Sequence, residues 1–155
     1  MATILERYKT LSAYPGGRFI FGKLVGFSAP FFSKIHPTFI DLKTAYCETQ
    51  IKDRRSVRNH LGTVNAGALC SMAELTGGLA LDTVVPSSMR WIPKTMTVQY
   101  IAKATGTLTA ISDFDASIAQ KGDVVIPIVV KNASNETVFT ADITFYISHK
   151  KPKIS

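Results

Sequence analysis

The sequence predicts an α+β fold in which a mostly antiparallel sheet of six strands wraps around one long central helix, with extra helices at the N-terminus. Three observations carry this expectation. Residues 64–84 form a helix-length run in which Gly67, Ala68, Cys70, Ser71, Ala73, Thr76, Gly77, Gly78 and Ala80 keep the helix thin on nearly every side. Segments with an apolar period of two lie on both sides of that run. Ahead of residue 38 the period is helical instead. A thin helix suits burial inside a curved sheet, and one buried helix under such a sheet is an α+β layer architecture.

Each element has its own local signal. Ile4, Leu5, Tyr8 and Leu11 recur at helical spacing over residues 3–13, with Thr3 as N-cap and Glu6 three positions on, the pattern of a capping box. After Pro15-Gly16-Gly17 a second helix runs through Phe19, Ile20, Leu24 and Phe27 and ends near Pro30. These helices read as an N-terminal cover, residues 1–36, that buries aromatic side chains against something larger. Phe39, Ile40 and Leu42, then Ala45, Cys47, Thr49 and Ile51, read as one or two strands with a bend near Lys43-Thr44. Gly77-Gly78 costs about 1 kcal/mol per glycine relative to alanine in a helix, so close backbone packing is the expected reason. Four further strands are expected over residues 94–101, 106–112, 123–132 and 137–149, with Asn132 to Glu136 as a hairpin loop.

The 155 residues fit one domain, 1–155, with a core at 37–149 and a basic tail at 150–155. With 46% hydrophobic and 19% charged residues the composition is that of a globular protein. The net charge of +7 favours anionic partners such as phosphates or an acidic carrier protein. The basic residues are scattered and form no nucleic-acid motif, so no nucleic-acid partner is expected. Cys47 and Cys70 have no CxxC or Cys/His spacing, which excludes a zinc site and a disulfide framework. The apolar stretch over residues 19–32 is broken by Gly22, Lys23, Gly26 and Pro30, and the central helix carries Glu74 and Asp82. No membrane span or secretory pattern is expected, which predicts a cytoplasmic protein without a membrane partner.

The chemistry concentrates at the start of the central helix. Arg58-Asn59-His60-Leu61-Gly62-Thr63-Val64 is a polar turn leading into Asn65-Ala66-Gly67-Ala68-Leu69. Such a helix start offers unpaired backbone N–H groups to an anion or a polarised carbonyl. Glu74 is a carboxylate on an otherwise apolar helix, a costly placement that suits a catalytic group. Asn65 and Glu74 are nine residues apart, about 13 Å along a helix. One site using both needs Glu74 of one chain to face the helix start of another, and hence at least a dimer.

With Asn59, then Asn65-Ala66-Gly67, then Glu74 on a long thin helix between two strands and four, the chain resembles the hotdog-fold thioesterases. It is most similar to small acyl-CoA thioesterases of the phenylacetate-pathway type, in the DUF4442 branch, which shares the Asn-His-x-Gly-Thr-Val-x-Ala-Gly-Ala-Leu stretch followed by Ala-Glu. The resemblance covers residues 37–149 and leaves the N-terminal helices outside the common core. It implies hydrolysis of an acyl-CoA or related thioester, CoA being part of the substrate and no other cofactor being needed. It also implies sites shared across a homodimer, with pairing of dimers into tetramers left open.

The resemblance implies roles residue by residue. Asn59 would position water or the carboxylate. Ala66, with Gly67, would direct N–H groups at the thioester carbonyl. Glu74 would be general base or nucleophile. Asn65 stands where the family has histidine, a departure that disfavours dehydratase chemistry and leaves a non-catalytic acyl-thioester binding protein as the alternative. Arg54, Arg55, Arg58, Arg90 and Lys94 are candidate contacts for CoA phosphates. The N-terminal aromatics Phe19, Phe21, Phe27, Phe31 and Phe32, with Trp91 and Ile92, are candidates to line an acyl tunnel. His36, His60 and His149 are expected as loop, packing or solvated residues.

Overall fold

The computed structural model describes residues 3–150. Helix α1, Ile4–Ser12, begins with the expected capping box: Glu6 N–H donates to Thr3 Oγ1 at 3.2 Å, and Thr3 N–H donates to Glu6 Oε2 at 2.7 Å. Helix α2, Gly17–Ser28, follows a turn in which Gly16 takes φ +77°, a left-handed conformation that suits glycine. A 3₁₀ turn at Pro30–Ile35 leads into the sheet.

The sheet comprises β1 Thr38–Lys43, β2 Tyr46–Ile51, β3 Met89–Tyr100, β4 Leu108–Asp113, β5 Gly122–Lys131 and β6 Thr137–His149. Its order is β1-β2-β4-β5-β6-β3, and every adjacent pair is antiparallel. Helix α3, Ala66–Asp82, lies against the concave face, touching β2, β4, β5 and β6. This is the hotdog arrangement that the resemblance implied. Alternating side chains such as Val124, Ile126, Ile128 and Val130 on β5 are buried against it.

The α3 glycines are required by packing, but against side chains and not against the backbone that was expected. A Cβ on Gly77 would stand 3.0 Å from the Ile128 Cδ1, and one on Gly78 would stand 2.7 Å from the Trp91 ring. Buried Thr49 on β2 and buried Thr76 on α3 share a hydroxyl hydrogen bond of 2.7 Å across the sheet–helix contact.

Several expectations are corrected. Strand β3 starts at Met89, five residues before the expected 94, and runs through Pro93. It is an edge strand with a register irregularity between Pro93 and Thr95, where a missing N–H breaks no ladder of a central strand. The N-terminal cover buries Tyr8 and Phe21, whose rings meet edge to face at 5.1 Å, but leaves Phe19, Phe27 and Phe31 exposed. Of the basic tail, Lys150 donates to Ser87 O at 2.7 Å, while residues 151–155 lie outside the described residues.

Candidate active site

The loop before α3 is held by Asn59. Its Oδ1 accepts the N–H groups of Leu61 at 2.9 Å and Thr63 at 3.2 Å, and its Nδ2 donates to Thr63 Oγ1 at 2.9 Å. Gly62 sits in this turn at φ +77°. Backbone bonds from Val64 N–H to Ala104 O at 2.8 Å and from Asn65 N–H to Val57 O at 2.7 Å anchor the loop exit. Arg58 donates to Asp53 at 2.6 Å, and that hydrogen bond holds the Asp53 carboxyl below the usual carboxylate range. Asn59 is thus a loop-organising side chain here, and Arg58 is engaged with Asp53. Lys94, another of the cationic candidates, is paired with Asp123 at 2.7 Å.

Asn65 is the N-cap of α3, and its Oδ1 accepts the Gly67 N–H at 2.7 Å. Because an N–H must meet the amide oxygen, this bond fixes which end of the amide is which. The Asn65 Nδ2 is left on the exposed side. Gly67 N–H is therefore engaged within the chain. Ala66 N–H, at the first helical position, has no acceptor among the described residues, and the positive end of the helix dipole lies there.

From this start an accessible stripe runs along α3 through Ala66, Gly67, Cys70, Ser71 and Glu74, while Leu69, Met72, Ala73 and Leu75 face the core. Ser71 Oγ turns back to Gly67 O at 2.7 Å. Glu74 is half-buried, and its side chain makes no hydrogen bond or ion pair among the described residues. Desolvation raises its carboxyl above the usual range, with no opposing charge to offset it. Sequence reasoning missed Tyr100, at the end of β3, whose hydroxyl lies 3.6 Å from Cys70 Sγ at the upper end of the stripe. The Cys70 hydrogen bond, aided by burial, raises the Tyr100 phenol. Only an alternating apolar strand ending in an exposed tyrosine signalled it. Cys47 is fully buried, and desolvation pushes its thiol far up, which removes it as a nucleophile.

An apolar cleft of about 180 Å³ lies among α1, α2 and α3, with Leu75, Gly78 and Leu79 of α3 on its wall and Glu74 outside it. Phe21, Leu24, Phe32, Leu75, Leu79 and Trp91 line it. Trp91 seats on Gly78 and donates its indole N–H to Asp82 at 2.6 Å. Of the aromatics expected in an acyl tunnel, Phe21, Phe32 and Trp91 reach this cleft. Phe19 and Phe27 line a different groove, outside α2. Ile92 is exposed on the edge strand. Among the described residues no cluster of His, Cys, Asp and Glu could hold a metal ion.

A family model described as "Domain of unknown function (DUF4442)" matches residues 17–147. The match begins at α2, ahead of residue 37, from which the resemblance was read. No curated protein matches the chain. Among solved structures, a structural-genomics protein designated APC5556 is 38% identical, with a TM-score of 0.83 over 95% of this chain and 99% of that one. A Pseudomonas aeruginosa protein of unknown function, PA5026, called a probable thioesterase, is 21% identical with a TM-score of 0.75, covering 82% and 92% of the two chains. The Haemophilus influenzae thioesterase HI1161 is 13% identical at the same TM-score of 0.75, covering 86% and 92%.

Proposed function

The chain belongs to the DUF4442 family within the hotdog-fold thioesterase superfamily, and from that membership and the chemistry of α3 we infer that it is a thioester hydrolase acting on acyl-CoA. One observation carries the reading: Glu74 is a half-buried carboxylate without a partner among the described residues, raised by desolvation, on the open stripe of α3 one helical turn before Gly78, which lines an apolar cleft. A carboxylate so placed is a base with a raised proton affinity near a place for an acyl chain.

The other half of the site comes from a second chain. Strand β3 is a 12-residue edge strand whose outer backbone groups have no strand beside them among the described residues, with Ile92 and Tyr100 exposed along it. Such an edge is a template for pairing with its own copy. Pairing there sets the α3 stripe of one chain, which Tyr100 borders, against that of the next.

In the resulting site the thioester carbonyl accepts hydrogen bonds from Ala66 N–H and Asn65 Nδ2 of one chain. Glu74 of the other takes a proton from water as the water oxygen attacks the carbonyl carbon. The same carboxylate attacking directly is the covalent variant of this step. The tetrahedral oxyanion, held at the helix start, collapses with cleavage of the C–S bond. Free acid and CoA thiolate leave, and the thiolate takes up the proton. Asn59 contributes by fixing the loop that presents Asn65.

A second reading, acyl-thioester binding without turnover, rests on Asn65, which has no titrating proton. Assay of the purified protein against a panel of acyl-CoAs with a thiol-trapping dye, beside Glu74→Ala, separates the two. Turnover lost in the variant supports the hydrolase. Binding of acyl-CoA without thiol release across the panel supports the second reading.

A further inference from the structure

Helix α2 is apolar on both faces. Its inner face, Phe21 and Val25, packs on β1 and α3. Its outer face presents Phe19, 69% exposed, and Phe27, 87% exposed, with Arg18 and Lys23 beside them. A helix that is hydrophobic all round normally has cover on every side. Phe19 and Phe27 border one groove and so form a patch, not scattered singletons.

The charge around this patch has one sign. Phe19 and Phe27 border a groove of about 590 Å³ whose wall includes Arg18, Lys23, Lys52 and Arg54 and no acidic residue. The ion pairs among the described residues, Asp41–Lys43, Asp53–Arg58 and Asp123–Lys94, involve none of these four cations. Lys23 Nζ stands 5.2 Å from the centre of the Phe19 ring, so the cation and the aromatic present themselves together.

We propose that this face of α2 docks the protein on an anionic lipid bilayer, the phenyl rings entering the headgroup–acyl boundary while Arg18, Lys23, Lys52 and Arg54 meet the lipid phosphates. The combination of projecting aromatics with a basic rim is what an interfacial helix requires. A second copy is a poor occupant, because a two-fold contact through this face sets each basic rim against itself. The face also adjoins β1, the opposite end of the sheet order from β3, so pairing along β3 leaves it open. The sequence excluded a membrane partner by looking for spanning segments, and among the described residues no helix spans. Peripheral docking needs none. The proposal is independent of the hydrolase reading.

The test is cosedimentation of the full chain with vesicles of phosphatidylcholine alone and of phosphatidylcholine mixed with phosphatidylglycerol, at low and high salt. Binding to the mixed vesicles, weakened by salt, is expected. Lys23→Ala should weaken it about fivefold, and Phe27→Asp about tenfold or more. Phe19→Asp serves as an independent second variant, and melting curves verify that all three remain folded. Absence of vesicle binding, equal binding to neutral vesicles, or binding unchanged in Phe27→Asp and Phe19→Asp overturns the proposal. So does a patch-dependent loss of self-association, or of binding to an acidic carrier protein, without vesicle binding.

Discussion

Asn65 Oδ1 accepts the N–H of Gly67 at 2.7 Å, which makes Asn65 the cap of the central helix. Asn65 is exposed, and neither its Nδ2 nor the Ala66 N–H has a hydrogen-bond partner among the described residues. In the proposed site capping and carbonyl polarisation belong to different atoms of one amide, and two substitutions separate them. Asn65→Ala removes both and should cost about 1 kcal/mol of stability along with activity. Asn65→Asp keeps the capping oxygen and so the melting temperature. It replaces the donor with a carboxylate and should lower kcat about a hundredfold. If Asn65→Asp retains full kcat, Nδ2 takes no part in the reaction.

Glu74 gives a prediction with a sign. Burial raises its carboxyl in the folded chain above the unfolded value, so between those two values the native state holds more protons than the unfolded state. Stability attached to this group is then present at acid pH and is lost as pH rises through the folded pKa. Glu74→Gln, which never ionises, should match the wild type in acid and exceed it slightly near neutrality, while losing turnover. The acid limb of the wild-type kcat/KM profile should lie above the ordinary glutamate range, because the base must be ionised to act. Chemical denaturation of both proteins at several pH values, with a pH–rate profile, checks each part.

The buried hydroxyl pair is directional. Thr76 Oγ1 donates to Met72 O at 2.7 Å, so the proton in its contact with Thr49 comes from Thr49. Thr49→Val removes a donor and orphans nothing, and should cost less than about 1 kcal/mol. Thr76→Val leaves the fully buried Thr49 hydroxyl without an acceptor and should cost about 1–3 kcal/mol. The double variant should be more stable than Thr76→Val alone. Equal losses in the two single variants, read from urea denaturation, would contradict the assigned direction.

Trp91 on Gly78 shapes the inner end of the apolar cleft. Gly78→Ala brings a Cβ within 2.7 Å of the indole and must displace it, at about 1–3 kcal/mol. Trp91→Ala empties that end and should move the acyl-CoA preference toward longer chains. A preference profile unchanged in Trp91→Ala would place the acyl chain elsewhere.

What could be read from sequence depended on how local the cause was. The Thr3–Glu6 capping box, the Asn132 hairpin and the thin helix were legible because their partners lie within a few residues or recur with a fixed period. Strand β3 was misjudged at its start because Pro93 reads as a breaker unless the strand is known to be an edge. The exposed Phe19 and Phe27 were expected inside because hydrophobicity alone does not say which face of an apolar helix meets the core. At the site, Glu74 and the helix start stood out by residue type. The partners of Asn59 and Gly67, and the approach of Tyr100 to Cys70, depend on folded geometry that no spacing rule contains.

The cross-subunit site can be tested without any structure of the assembly. Asn65→Asp chains lack the Nδ2 donor but retain Glu74, and Glu74→Gln chains have the converse defect. Each should be inactive as a homodimer. When the two are unfolded together and refolded, half of the dimers should be mixed. In a mixed dimer one site combines both defects, and the other combines intact Glu74 with intact Asn65 from opposite chains. Activity should return to about a quarter of the wild-type value. Were each site built within a single chain, every site would carry one defect and mixing would restore nothing. The 13 Å or so that nine helical residues put between Asn65 and Glu74 makes recovery the expected result.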